Sequence, residues 1–278
     1  LKIQLRIDVE PVAPAIKFPE PKDWKPLPKP RKRKKQKVRT SVILSDFHAP
    51  HHDKTLFALT CQFLEDEQPD EVIINGDLMD AATVSRHRTV PGGGYDQPLQ
   101  ANVDSAYSVL RQIRESAGRD AVLKLQKGNH DERIENALID QLSALYGLRA
   151  AGDDVPALSL RKLLRLDELQ VEYSPEPWDR SKFQVLGNHR ISAIHGFSTT
   201  PNPGKKILAD LAGSTVQGHS HRLSTYYQTS HHPIEGPETR LAAECGCMCE
   251  IEDGLGYQRE PNWTQGFLIA CFWEDSKI

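Results

Sequence analysis

Apolar and polar positions alternate along the chain in short blocks whose period changes. TSVILSD (40–46), EVIING (71–76) and AVLKLQ (121–126) are brief continuous apolar runs, the pattern of strands buried on both faces. Between them Leu56, Phe57, Thr60, Phe63 and Leu64 recur at helical spacing, as do Val103, Ala106, Tyr107, Leu110 and Ile113. A further helix-like stretch runs from Glu132 to about Tyr146. Strand signals dominate after Leu169. FQVLGNHRISAIHG (183–196) reads as a hairpin turning at Gly187-Asn188, and LSTYYQTS, RLAAECGCMC and GFLIACFW follow it. Alternating strands and helices predict an α/β fold in which a sheet is layered with helices. No internal repeat at a fixed period is visible.

The first 39 residues break this pattern. They hold seven prolines, 13 Lys/Arg and 4 Asp/Glu, and end near the run Arg31, Lys32, Arg33, Lys34, Lys35. The net of +9 leaves 22 Lys/Arg and 34 Asp/Glu for the remainder, a net of −12 hidden inside a total of −3. Residues 1–39 are therefore expected to form a basic, extended arm, and 40–278 a catalytic domain. LKIQLRIDV at the start alternates and could add an edge strand. The chain is long enough for one large domain. It has no run near the roughly 18 apolar residues of a membrane span and no apolar leader core at its start, so a cytoplasmic location is expected.

Five cysteines, Cys61, Cys245, Cys247, Cys249 and Cys271, suggest no disulfide framework. In ECGCMCE, a strand would place Cys245, Cys247 and Cys249 on one face. The spacing is tighter than usual zinc sites, so buried small side chains are the preferred reading.

Chemistry enters with the residues that follow each apolar run. Ser45-Asp46-Phe47-His48 follows the first, Asn75-Gly76-Asp77 the second, and Lys127-Gly128-Asn129-His130-Asp131 the third. His195-Gly196 follows a fourth and Gly218-His219-Ser220-His221 a fifth. Each group is at the carboxyl end of a strand, the edge where layered α/β sheets bind ligands. So many buried carboxylates and imidazoles are costly unless divalent cations neutralise them. The mixed N/O donor set suits Mn²⁺, Fe²⁺, Zn²⁺ or Ni²⁺ better than Mg²⁺ or Ca²⁺.

In this order, D-x-H, GD, GNHD, HG and G-H-x-H resemble the calcineurin-like metallophosphoesterases over about residues 40–230. The resemblance implies a four-layer α-β-β-α sandwich with two divalent metals, Mn²⁺ first, at its rim. Asp46, His48 and His221 would hold one metal and Asn129, His195 and His219 the other, with Asp77 bridging both. A hydroxide bridging the metals would attack phosphorus. His130 would contact the phosphate and protonate the leaving oxygen, oriented by Asp80 or by Asp131. Protein phosphatases of the family read GDxVDRG, whereas this chain reads GDLMDAA, so the arginine that grips a phosphomonoester is missing there.

The basic arm favours a polyanion such as DNA or RNA. The first reading is thus a phosphodiesterase of nuclease type, similar to the catalytic domains of Mre11/SbcD exonucleases and to compact phage and bacterial metallophosphoesterases. The alternatives are an esterase acting on small nucleotides or phosphoproteins, and a non-catalytic metal-binding scaffold. No membrane partner is expected. Four further groups carry weaker expectations. Gly187-Asn188-His189 is read as a turn despite repeating GNH, and His51 and His52 as rim neighbours but not ligands. Arg86, His87 and Arg88 could line the substrate side, and His231 and His232 precede a proline and read as loop.

Overall fold

The computed structural model describes residues 38–86, 98–187, 190–234, 236–251, 255 and 261–273. The arm up to residue 37 lies outside them, as do His87, Arg88, Asn188 and His189.

The three continuous apolar runs are β1 (Val38–Leu44), β2 (Glu71–Asn75) and β3 (Val122–Gln126), paired side by side in parallel. β4 (Val171–Ser174) extends this sheet in parallel, and β10 (Leu268–Trp273) closes its other edge antiparallel to β1. A second sheet has the order β5 (Phe183–Gln184), β6 (Ile191–Ile194), β7 (Ser214–Gln217), β9 (Gly236–Cys245), β8 (Leu223–His232). In it β6, β7 and β9 are parallel neighbours.

Strand period explains the layering. Val42, Leu44, Val72, Ile74, Leu123 and Leu125 face outward into a core shared with α1 (Lys54–Glu67) and α2 (Leu99–Ala117). Ile43 and Ile73, one position out of phase, face inward and pack on Ala193, Val216, Ala243 and Cys245 of the second sheet and on Val185 just after β5. Both faces of β1 and β2 are thus covered, which is why Val42–Leu44 and Val72–Ile74 are apolar at successive positions. On the far face of the second sheet is α5 (Pro203–Asp210), with Ile207 and Leu208 buried and Gly204 close against Tyr226 and Ala242. The order of layers is helices, sheet, sheet, helix, as expected. Both predicted helices form, and the Asp53 carboxylate caps α1 by accepting from the backbone N–H of Thr55 and Leu56.

Three expectations need correction. The stretch from Glu132 to Tyr146 is helical only in α3 (Arg133–Gln141), followed by a 3₁₀ turn at Ser143–Leu145. Leu142 and Tyr146 there are more than half exposed, so they give a longer helix no apolar face to bury. The cysteine run does not continue as a strand. β9 ends at Cys245 because Gly246 takes φ +76°, with Thr264 O only 2.7 Å from where a Cβ would sit. His231 and His232 are not loop: they pair with Pro237 and Gly236 at the tip of the β8–β9 hairpin, and Pro233 begins the turn. The hairpin at 183–194 forms, with a 3₁₀ turn over Val185–Gly187. Among the described residues, no helix is long and apolar enough to cross a membrane.

Candidate metal centre

Because β1, β2, β3, β6 and β7 run in parallel within their sheets, their carboxyl ends deliver five loops to one rim. Asn75 ties the two sheets there: its side-chain amide donates to Ile194 O at 2.6 Å, and its own carbonyl accepts from His195 Nδ1 at 2.9 Å. Since a carbonyl only accepts, His195 carries a proton on Nδ1 and turns Nε2, the nitrogen that would ligate an ion, inward. That Nε2 lies 3.3 Å from Asp77 Oδ2 and 3.2 Å from Asn129 Oδ1.

The same Asp77 Oδ2 is 3.6 Å from His48 Nε2. His48 Nε2 in turn is 3.1 Å from His221 Nε2, which is 3.2 Å from Asp46 Oδ1. Asp46, His48 and His221 form one group with donor atoms within 4.8 Å of one another, and Asp77, His195 and His219 form another. All of these except His219 are buried, and the half-buried Asn129 touches the second group. Two imidazole nitrogens converging at 3.1 Å beside carboxylates fit a divalent cation, which takes their lone pairs and neutralises the acids. Such groups could hold metal ions.

Charge balance in the bare site says the same. Burial would raise the Asp77 carboxyl, but His195, His130 and His48 hold it well below the usual carboxylate range. Burial lowers His48 and His219 to about 4, leaving both neutral and able to ligate. Burial also works against a proton on His195, yet Asp77 and Asp46 push it up to about 9. Without a cation, the acids recruit protons onto the histidines instead.

The backbone is strained to hold these side chains. Of the ten described non-glycine residues with positive φ, five are Asp46, His48, Asp77, His219 and His221, at 47° to 64°. That conformation costs about 1–2 kcal/mol per residue and concentrates at functional sites. The loops also approach closely: a Cβ at Gly128 would fall on the Asp77 carboxylate.

The two candidate orienters of His130 separate cleanly. Asp80 Oδ1 is 2.7 Å from His130 Nδ1. Asp131 does not touch that ring. It accepts the backbone N–H of Leu78 (3.2 Å), Met79 (2.9 Å) and Gly128 (2.8 Å), stapling the loop after β2 to the loop after β3. Burial and the Asp77 charge push its carboxyl up to about 6 against the Gly128 and Met79 donors. Asp131→Ala should leave all three N–H groups buried and unpaired. A loss of about 3 kcal/mol or more in unfolding free energy is expected by denaturant titration; a loss under about 1 kcal/mol would remove Asp131 from this role.

His130, His48 and Asp77 form a further group that could hold an ion, but both His130 nitrogens already have partners. Nδ1 is taken by Asp80, and Nε2 lies 3.0 Å from Arg133 NH2. Guanidinium only donates, so Nε2 is the acceptor and the proton sits on Nδ1. Arg133 also donates to Asp80 O at 2.7 Å.

Sequence reasoning did not single out Arg133, although it falls one helical turn after His130 and that spacing was a usable signal. It also missed two half-buried indoles. Trp178 lies 5.6 Å from the His219 ring and 6.0 Å from His195, and Trp263 lies 4.3 Å from His221. Cys247 and Cys249 are buried behind His221, with Cys249 Sγ 4.0 Å from Nδ1, and these three residues could also hold an ion. His52 is buried against Phe57, and neither it nor His51 joins a group of donor atoms close enough to share an ion among the described residues. Arg86 is exposed and 3.3 Å from Asp140.

No family model matches the chain. It is 23% identical over 185 residues to the Gene 54 protein of Mycobacterium phage L5, and 24% over 182 residues to the Gene 54 protein of Mycobacterium phage D29. Each alignment covers 65% of this chain and 68% of the relative. Among solved structures it is similar to a single-mutant Vps29 from Entamoeba histolytica, at TM-score 0.36 and 15% identity over 83% of this chain and 84% of that one. The chemistry therefore rests on the residues themselves.

Proposed function

We propose that the chain hydrolyses phosphate esters with two divalent metal ions, and that its substrate is a phosphodiester of a nucleic acid. The observation that carries this reading is the position of Asp77. One carboxylate oxygen faces His48 at 3.6 Å and His195 at 3.3 Å, the placement of an acid shared by two ion sites. Asp46, His48 and His221 would hold one ion; Asn129, His195 and His219 would hold the other. When bound, the cations supply Lewis acidity at the phosphoryl oxygens and a water activated for in-line attack.

The chain's own residues do the rest. Asp46 and Asp77 supply the negative charge that retains the ions. Asp80 holds the His130 ring with Nε2 toward the rim, and Arg133 sets a fixed positive charge beside it. A phosphate oxygen arriving between them accepts from Arg133, and also from His130 once Nε2 is protonated.

Arg133 also favours a second reading. GDLMDAA lacks an arginine, yet Arg133 places a guanidinium 3.0 Å from His130, where it could grip a terminal phosphate. A phosphomonoesterase acting on small nucleotides or phosphoproteins would use such a group. Assays of Mn²⁺-loaded protein on bis-p-nitrophenyl phosphate, p-nitrophenyl phosphate and single- and double-stranded DNA and RNA decide between them. Faster turnover of the diester and cleavage of a nucleic acid are expected. Turnover of the monoester alone would favour the second reading, and no turnover of any substrate would leave a metal-binding scaffold.

The basic arm makes the nucleic-acid version testable by itself. Deleting residues 1–37 should raise the apparent KM for DNA or RNA and flatten its salt dependence by about 0.7–0.9 in log–log slope per lost phosphate contact. Turnover of bis-p-nitrophenyl phosphate should be unchanged. A KM and salt slope that survive deletion would show that the arm does not recruit substrate.

A further inference from the structure

Trp178 and Trp263 stand at opposite ends of the donor row. Trp178 is beside His195 and His219, tilted 37° from the His219 ring; Trp263 is beside His221. Each sits in a loop pinned by hydrogen bonds at or beside it. The N–H of Trp178 donates to Glu132 Oε1 at 3.3 Å, in a short turn closed by Arg180 N and Ser181 N donating to Pro177 O at 2.9 Å. Next to Trp263, Thr264 N donates to His221 O at 2.8 Å, and Thr264 O accepts from Cys247 N at 3.0 Å. Trp263 leans on the small cluster of Cys247, Cys249 and Leu255. The two indoles are thus preorganised on separate loops, partly open to solvent, with the candidate ion sites between them.

We propose that Trp178 and Trp263 are stacking platforms for the unpaired bases on either side of the scissile phosphate, so that the substrate is single-stranded nucleic acid. The proposal rests on the phosphodiesterase reading and narrows its substrate. A phosphate over Asp77 sends one substituent toward each end of the donor row, and an indole waits at each end. A phosphomonoester has a substituent on one side only and leaves one indole idle. Paired bases already stack within their duplex and cannot lie on a protein ring, whereas unpaired ones can. Aromatic stacking tolerates any base, and losing one platform weakens binding by about 5- to 150-fold.

The test is equilibrium binding, read by tryptophan fluorescence in Ca²⁺ buffer with phosphorothioate-linked tetrathymidylate. The comparison ligand is an abasic oligomer with the same backbone. Wild-type protein should bind tetrathymidylate at least about tenfold more tightly than the abasic oligomer. Trp178→Ala and Trp263→Ala should each erode that preference, Trp178→Phe and Trp263→Phe should keep most of it, and metal content should stay at the wild-type level throughout. Equal binding of the two oligomers by wild-type protein would overturn the proposal. So would alanine variants that keep the preference with their metals in place, or a preference lost equally with Phe and Ala. If bis-p-nitrophenyl phosphate is hydrolysed in any of these cases, the phosphodiesterase reading stands and only the stacking role falls. A base preference that depends on the indoles, in a protein that hydrolyses no ester, would instead retain the stacking and remove the catalytic reading.

Discussion

Asp77→Asn should empty both ion sites and lower hydrolysis by about 10³-fold or more, the scale of several kcal/mol of charge stabilisation lost from the transition state. The substitution changes almost no volume. Asp77 Oδ1 accepts from the backbone N–H of His130 at 2.9 Å, which an amide oxygen can still do, so the loop after β3 keeps its anchor. What disappears is the charge that His48 and His195 share. An amide in that place turns either a weaker oxygen or an N–H toward two imidazoles. Loss of one Asp46-side ligand should spare the other ion far more than loss of Asp77 does. Elemental analysis of the purified variant checks this directly. Two tightly held metals per chain together with ordinary turnover would show that Asp77 is not shared between sites.

His130→Ala should do the opposite: leave the metals in place and slow turnover by about 10²–10⁴-fold, the range for a general acid. Both of its ring nitrogens are already engaged, by Asp80 and by Arg133. The leaving group separates its two possible contributions. If His130 protonates the departing oxygen, p-nitrophenolate, which needs little help, should suffer less than an alkoxide. If it only contacts the phosphate beside Arg133, both leaving groups should lose equally. The ground-state tautomer bears on the outcome, because Nε2 faces Arg133 without a proton and must acquire one before it can donate. Metal content below the wild-type level in this variant would mean that His130 is a ligand after all.

The part of the site legible in sequence was the part written as local rhythm. An apolar run followed at once by Asp, His or Asn marks a strand end at the rim, and β1, β2, β3, β6 and β7 all carried that mark. The layering was legible for the same reason: Ile43 and Ile73 are as apolar as Val42 and Val72 because both faces of their strands are covered. What sequence could not show depends on contacts between distant loops. Asp80 and Asp131 were equal candidates beside His130 until the fold brought Asp131 onto three backbone N–H groups and Asp80 onto the ring. Trp178 sits in a proline-flanked loop with no motif near it, and only the packing of that loop over His219 gives it meaning. The run from Cys245 to Cys249 reads as a strand until Gly246 turns the backbone. The helix after His130 stops at Gln141 because the apolar residues beyond it have no surface to cover, which periodicity alone does not reveal.

One titration tests the central claim most directly. Metal-free protein, shown to be folded, is given Mn²⁺ in rising equivalents while hydrolysis of bis-p-nitrophenyl phosphate is followed. Two ions sharing Asp77 should produce a rate that climbs and levels off at two equivalents per chain. A folded protein that shows no hydrolysis at any Mn²⁺ level, or full activity at one equivalent, would contradict the two-metal account.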